Sequence, residues 1–473
     1  MNWVNMAATL RASQKGLAIV DGLRKRKGWL KQQQSWARSA NCELPSLKRF
    51  WRRIPIDSDV FKRICTHVGA DWEEIVDNGD ENIVKNSPHF SQYDQAWAGR
   101  NELILELLEK LNSGCRLLIL EGITGIGKTA LAECLANKLY VNFLKENWKR
   151  FLIDRFDVDS KSSDFNSTAV RWLEGWGETI FGDDRKNDLL MPRLLYRLKN
   201  NPYLIILDSL EFILEGDEEE GWGNFKDQEW VKFFDQYLDG DCASRIIITT
   251  QQKSQQFNPK YEGSYLDYYI LKGLTASEQL ELFENLGLEA NGDASNRSYL
   301  LRIGSVYEGH PLALKVIAGE IGNVKYNGNL KVYWEEYGKE IEEVEKSIEE
   351  AHTQGMISSK DDQWRLDNYS KALRERVKKR LDITFERLKD DFYNAYYLLC
   401  ASSLYRIAVK KSWWLQQLDD LDCDRDEQES AFDILEDHFL VEWENGSGLV
   451  RQHNLIRSLA LKHLKKIEEE EKN

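Results

Sequence analysis

The sequence predicts a multidomain protein of the α/β plus α class, and three observations predict it. An apolar run, Leu117 to Leu120, leads into a glycine-rich loop, GITGIGKT at 122–129, and a helical stretch, Ala130 to Tyr140, leads out of it. From there to about Thr250 apolar strands alternate with helices, the pattern of a parallel sheet covered by helices. Beyond Leu271 the strand signals fade and apolar residues recur at helical spacing. At 473 residues the chain is too long for one core and corresponds to three or four domains.

Taken in order, residues 1–76 read as an all-α domain. Its helices fall at Ser13 to Arg26, Lys31 to Ala40, Pro45 to Arg53, Asp57 to Val68 and Asp71 to Val76. Residues 77–96 form a polar linker. A domain at 97–270 opens with a helix, Asn101 to Asn112. Its strands are Leu117 to Leu120, Phe151 to Phe156, Tyr203 to Leu207 and Arg245 to Thr249. Residues 271–350 read as helical, with Thr275 to Leu286, Ser298 to Glu308, Pro311 to Ile321 and Tyr333 to Ala351. A polar stretch at 351–372 leads to a last domain at 373–468. That domain is helical, with a hairpin of Leu440 to Trp443 and Leu449 to Gln452.

Composition excludes several classes. Charged residues are 30% and hydrophobic residues 42%, as in a globular protein. No apolar run has the length of a membrane span and no signal peptide opens the chain, so the expected location is cytoplasmic and no membrane partner is expected. The seven cysteines are scattered and form no CxxC pair, which fits reduced thiols and not a zinc site. The formal charge of −15 is uneven: residues 1–75 hold fourteen Lys/Arg against seven Asp/Glu, a net +7, so the rest carries −22. A basic head on an acidic body implies a separate task for the head.

The glycine-rich loop fits the phosphate-binding pattern G-x-x-x-x-G-K-[ST], and its strand–loop–helix setting is what that pattern requires. Gly122, Gly125 and Gly127 let backbone N–H groups wrap a polyphosphate, and the helix start at Lys128, Thr129 and Ala130 adds a favourable dipole. Lys128 is expected on the β- and γ-phosphates, and the Thr129 hydroxyl on Mg²⁺. The strand at 203–207 ends in Asp208, placed to hold Mg²⁺; the alternative is a strand-end cap. Glu211 follows as a candidate for orienting the attacking water, or is simply a solvated acid among acidic neighbours. Thr249 and Thr250 end the next strand, where a hydroxyl can sense a γ-phosphate.

The order LILEGITGIGKTALA, LIILDSLE, SRIIITT and EGHPLALKVIAGEI resembles the NB-ARC ATPases of the STAND class of P-loop NTPases. The resemblance covers about residues 97–466. It implies a P-loop sheet followed by helical and winged-helix domains. WAGR at 97–100 is similar to the family's hhGRE entry, which implies that Arg100 lies near an adenine, although Asn101 replaces the Glu. GHPLAL at 309–314 resembles the GxPLAL motif, which implies that Pro311 packs near base and sugar. QHN at 452–454 stands where the family has MHD. This implies that His453 points at the β-phosphate of ADP, the alternative being a half-buried histidine beside the wing. Asn454 can cap the helix but cannot make a charged contact, which weakens an ADP lock. Gln251 stands where the family often has an arginine, implying weaker γ-phosphate sensing. The resemblance implies a repeat sensor after the last domain, and none is read here, so either a protein partner is expected to sense or the chain is a shortened version.

The head resembles a Cro/repressor-like helix-turn-helix. That implies a recognition helix at 44–53, with Ser46, Lys48, Arg49, Arg52 and Arg53 as candidate DNA contacts, and Leu47, Phe50 and Ile54 as core. The same basic helices equally suit a protein partner or the chain's own acidic body. The resemblance as a whole implies a switch that binds ATP or ADP with Mg²⁺, hydrolyses ATP slowly and self-associates on exchange, in signalling or defence. The alternative is a nucleotide-gated transcriptional regulator that uses the head on DNA.

Overall fold

A computed structural model describes residues 9–471 apart from 14–15, 18, 21–22, 25–26, 28–33, 43, 52, 54–55, 78–89, 91, 94–95, 158–161, 183–186, 218–220, 291–293, 324, 327, 354–362 and 445–448. The head comprises β1 (Thr9–Leu10), α1 (Gln34–Ser39), α2 (Leu44–Trp51), β2 (Ile56–Asp57), α3 (Ser58–Val68) and α4 (Trp72–Ile75). Trp36, Leu47, Phe50, Phe61 and Ile64 form its core. Asp57 starts α3 by accepting the N–H groups of Asp59 and Val60, and Gly69, at φ +92°, ends it. The expected all-α head also holds a two-residue antiparallel ladder, β1 on β2. Ile54, Arg52 and half of the expected helix at 13–26 lie outside the described residues.

Next come α5 (Asn101–Ser113), β3 (Leu117–Glu121), α6 (Lys128–Asn142), β4 (Phe151–Arg155), α7 (Phe165–Gly175), α8 (Asn187–Asn200), β5 (Leu204–Asp208), β6 (Leu214–Asp217), β7 (Gly221–Phe225), α9 (Glu229–Leu238), β8 (Arg245–Thr250) and β9 (Leu266–Ile270). Five strands form one parallel sheet in the order β4-β5-β8-β3-β9. Strands β3, β5 and β8 at its centre read as apolar runs because both their faces are covered. Leu118, Leu120, Leu204, Ile206 and Ile247 join one core, and Leu117, Ile119, Ile205, Leu207, Ile246 and Ile248 the other. The register sets Leu120 beside Thr249, and Leu207 beside Ile248, so the strand ends carrying Asp208, Thr249 and the loop emerge together.

Two features stand outside the strands expected from sequence. The edge strand β9 reads Leu-Asp-Tyr-Tyr-Ile and is half exposed, and the hairpin β6–β7 is rich in Gly and acid.

The remainder is mostly helical: α10 (Ala276–Asn285), α11 (Ala294–Val306), α12 (Pro311–Gly322), α13 (Leu330–Thr353), α14 (Gln363–Asp391) and α15 (Tyr393–Ala401). It ends with β10 (Val409–Lys410), α16 (Lys411–Leu415), α17 (Arg425–Asp437), β11 (Glu442–Glu444), β12 (Leu449–Arg451) and α18 (Asn454–Glu471). Strands β10, β12 and β11 make a three-stranded antiparallel wing, and α15 packs on α17 and α18 to complete the winged helix. Much of the stretch expected as a polar linker is helix: α13 runs to Thr353 and α14 starts at Gln363.

Near the end of α12 the buried Glu320 carboxylate accepts from Arg380, Arg387 and Thr384 of α14 and from the Tyr333 hydroxyl of α13. Against the cost of burial, Arg380 and Arg387 hold Glu320 down to a pKa of about 2.

Candidate functional site

The loop at 122–129 is shaped from two sides. Gly125 and Gly127 adopt φ +82° and +96°, conformations that other residues rarely take. Gly125 is also crowded from behind: a Cβ there would come within 2.9 Å of His310 Cε1 and of Leu312 Cδ2. His310 is fully buried at the start of α12. Its ring Nδ1 accepts from Ala313 N–H at 3.3 Å, so the neutral ring donates from Nε2 to the Thr124 carbonyl at 3.0 Å. Burial pushes its pKa down to about 3, which keeps it in that neutral form. Arg100, at φ +59°, braces the loop from below, donating from Nη2 to the Ile126 carbonyl at 2.7 Å and to the Lys272 carbonyl at 3.2 Å.

Lys128 Nζ folds back onto the carbonyls of Gly122 and Ile123, at 2.8 and 3.1 Å, and burial lowers its pKa. The Asp208 Oδ1 atom accepts from the hydroxyls of Thr129 at 2.7 Å and Thr249 at 2.6 Å. Glu211 is buried in the turn after β5, and burial raises its pKa. The Gln251 side chain donates to it at 3.2 Å, so this position holds a neutral partner of the acid.

These groups open onto a cleft of about 480 Å³. Trp97, Ala98, Leu274, Leu282, Pro311 and Leu312 supply its apolar lining. The facing wall comes from the wing and the last helix, with Glu442, Arg451, His453, Asn454, Leu455 and Ser458. His453 caps α18, its Nδ1 accepting from Leu455 N–H at 3.2 Å, and burial lowers its pKa. Asn454 does not cap the helix as expected. Its side-chain amide reaches across the cleft to Asp157 Oδ2 at 2.8 Å. Burial, followed by the nearby Asp208, raises the pKa of Asp157.

The structure therefore brings Arg100, Gly125, Gly127, Lys128, Thr129, Ala130, Asp208, Glu211, Thr249, Pro311 and His453 to one cleft. It leaves two candidates outside the lining: Gly122 offers its carbonyl to Lys128, and the buried Thr250 hydroxyl donates to the Gln252 carbonyl at 2.8 Å.

In the head, Arg49 is exposed and Ser46 half-buried, while the Lys48 side chain and Arg52 lie outside the described residues. The Arg53 guanidinium turns inward, to the Ala12 carbonyl at 2.9 Å and to Asp77 at 3.4 Å, so it ties the head together and is not offered to a duplex. Asp157, Glu442 and Arg451 of the cleft, and His310 buried behind the loop, are residues that sequence reasoning missed. Only His310 carried a signal, as the residue before Pro311 in the GHPLAL stretch.

The donor set fits a nucleoside polyphosphate with a divalent cation. The loop's N–H groups and Lys128 would hold phosphate, and Thr129 with Asp208 would hold Mg²⁺. Fold and cleft define a P-loop protein.

No family model matches the chain. It is 26% identical over 371 residues to an uncharacterized WD repeat-containing protein of Nostoc sp., covering 70% of this chain and 29% of that protein. It is 26% identical over 228 residues to the disease resistance protein RUN1 of Vitis rotundifolia (46% and 15%), and 26% over 232 residues to RPS4 of Arabidopsis thaliana (47% and 17%). The chain thus spans less than a third of these relatives. A solved STAND protein with a tetratricopeptide repeat sensor, from Pyrococcus horikoshii, aligns with TM-score 0.43 at 17% identity, over 80% of this chain and 44% of that one. The chain is thus similar to disease resistance proteins over nearly half of its length, and its motif order resembles that of the NB-ARC ATPases of the STAND class. Among the described residues no helix is long and apolar enough to cross a membrane.

Proposed function

We propose that the chain is a nucleotide-dependent switch in signalling or defence, closed with ADP and opened by exchange for ATP. One observation carries this reading: the cleft has the phosphate loop on one wall and His453 of the last helix on the other, so a ligand between them touches both. A ligand that fits the closed shape better holds it closed, and one that fits the open shape better releases the wing. Release would expose the surface through which copies self-associate, and an additional protein would act as sensor.

Lys128 and the loop amides would bind the phosphates, Mg²⁺ on Thr129 and Asp208 would neutralise charge there, and Glu211 would orient water. A neutral Gln251 in place of a cation favours slow ATP hydrolysis over a motor's turnover.

The test is to purify the protein, denature it and identify the released nucleotide by chromatography. Stoichiometric ADP is expected. A protein that carries no nucleotide and takes up neither ADP nor ATP on titration would sink the reading. The regulator alternative is weakened by Arg53 turning inward and by Arg24 of the head pairing with Glu289 of the body at 2.9 Å. A salt-dependent shift of duplex DNA by the chain would revive it.

A further inference from the structure

We propose that Glu442, the first residue of wing strand β11, reads the ribose of the bound nucleotide by accepting a hydrogen bond from a sugar hydroxyl. This inference rests on the nucleotide reading above and adds a sugar-specificity determinant to it.

Glu442 lines the cleft, and its side chain is 19% exposed. One carboxylate oxygen, Oε2, is engaged: it accepts from Gln92 Nε2 at 2.7 Å and faces Arg451 Nε, its cross-strand neighbour, at 3.3 Å. Gln92 is itself held, because its backbone N–H donates to the buried Glu133 carboxylate at 2.8 Å. The other oxygen, Oε1, has no partner among the described residues. The carboxylate is thus fixed by one oxygen and presents a bare acceptor with the other.

A carboxylate held ionised can only accept, so it selects hydroxyl or amino donors and repels phosphate. Although burial opposes it, Arg451 and then His453 keep Glu442 below the usual carboxylate range, so it stays ionised.

Its place along the cleft chooses between those donors. Trp97, Ala98 and Pro311 line the same cleft and suit a flat base. Glu442 pairs across the ladder with Arg451, two residues before His453, and His453 lies close enough to Glu442 and to Lys128 to feel both charges, which sets Glu442 towards the phosphates. A donor that near the phosphates is a sugar hydroxyl and not a base amino group, and pairing of a carboxylate with a ribose hydroxyl is a recurrent solution in nucleotide sites. Because Glu442 sits on the wing, the sugar contact exists only while the wing covers the cleft.

The experiment is displacement of a fluorescent ADP from the full chain by ADP, 2′-deoxy-ADP and 3′-deoxy-ADP. The wild-type chain should prefer ADP over at least one deoxy form by about tenfold or more, the size expected for one hydrogen bond to a charged group. Glu442→Ala and the milder Glu442→Gln should reduce that ratio to about threefold or less. The ratio is internal to each protein, so a general loss of stability does not imitate the result.

Equal affinity for all three sugars in the wild-type chain, or a ratio unchanged in both variants, would overturn the proposal while leaving the nucleotide reading intact. A wild-type chain that binds none of them removes both.

Discussion

The wall formed by residues 122–130 is one contiguous stretch braced from behind, whereas the facing wall draws Glu442, Arg451, His453 and Asn454 from the wing and the last helix. Asn454 meets Asp157 across 297 residues of chain. The first wall is mostly backbone: glycines at positive φ, carbonyls that receive Lys128, and N–H groups at a helix start. The second is mostly side chain, and each contact depends on how the wing docks. A binding site can thus have one side that survives in any homologous sheet and another that holds only in one arrangement of the parts.

Substitutions on the two walls should therefore fail differently. The largest effect is expected at Lys128→Ala, which should weaken ATP and ADP alike by about 100-fold, a loss typical of a buried charge-assisted contact. Equilibrium dialysis that found normal ATP affinity in this variant would refute the assignment of the loop.

On the other wall, Asn454→Asp sets a carboxylate against Asp157 in place of a 2.8 Å hydrogen bond. Nucleotide should leave about tenfold faster, and adding Asp157→Asn in the same chain should restore slow release. A double variant as leaky as the single one would mean that the pair does not hold the wing.

His453→Ala should speed ADP release by about fivefold with ATP affinity little changed, since only one wall loses a contact. Equal weakening of both nucleotides would place His453 outside the state-specific contact.

The smallest effect concerns acidity. His310 folds with a pKa of about 3 against an ordinary 6.5, so the unfolded chain binds the extra proton between these values. Stability that is fully present above pH 6.5 is then lost as the pH falls towards 3, by about 0.7 kcal/mol between pH 7 and pH 6. Urea midpoints at the two pH values should show this slope, and His310→Gln should flatten it. An unchanged slope would mean that His310 is not the titrating group.

Much of the first wall was legible in sequence because its chemistry is contiguous: GITGIGKT between an apolar strand and a helix announces its own geometry. Asp208 and Thr249 were legible too, since each ends an apolar run. The second wall was legible only at His453, through the resemblance of QHN to a known triplet. Glu442 and Arg451 read as ordinary charges on a short hairpin, because a register pairing across two strands leaves no periodicity. Asn454 looked like a cap, yet the pairing that engages it depends on Asp157, which no local pattern connects to it. Strand β9, with Asp267 in its run and one side half exposed, and the Gly- and acid-rich β6–β7 hairpin were hidden likewise, being fixed by neighbours in space.

Helix α12 ties the phosphate loop to α14. At its start the His310 ring is bonded to the loop through Thr124, and ten residues later Glu320 grips Arg380 and Arg387 of α14. Ten residues of helix make a stiff beam about 15 Å long. The phosphate loop and the long helix that leads to the wing therefore share one girder. A side chain added at Gly125 would push on its near end, and the strain would surface at α14.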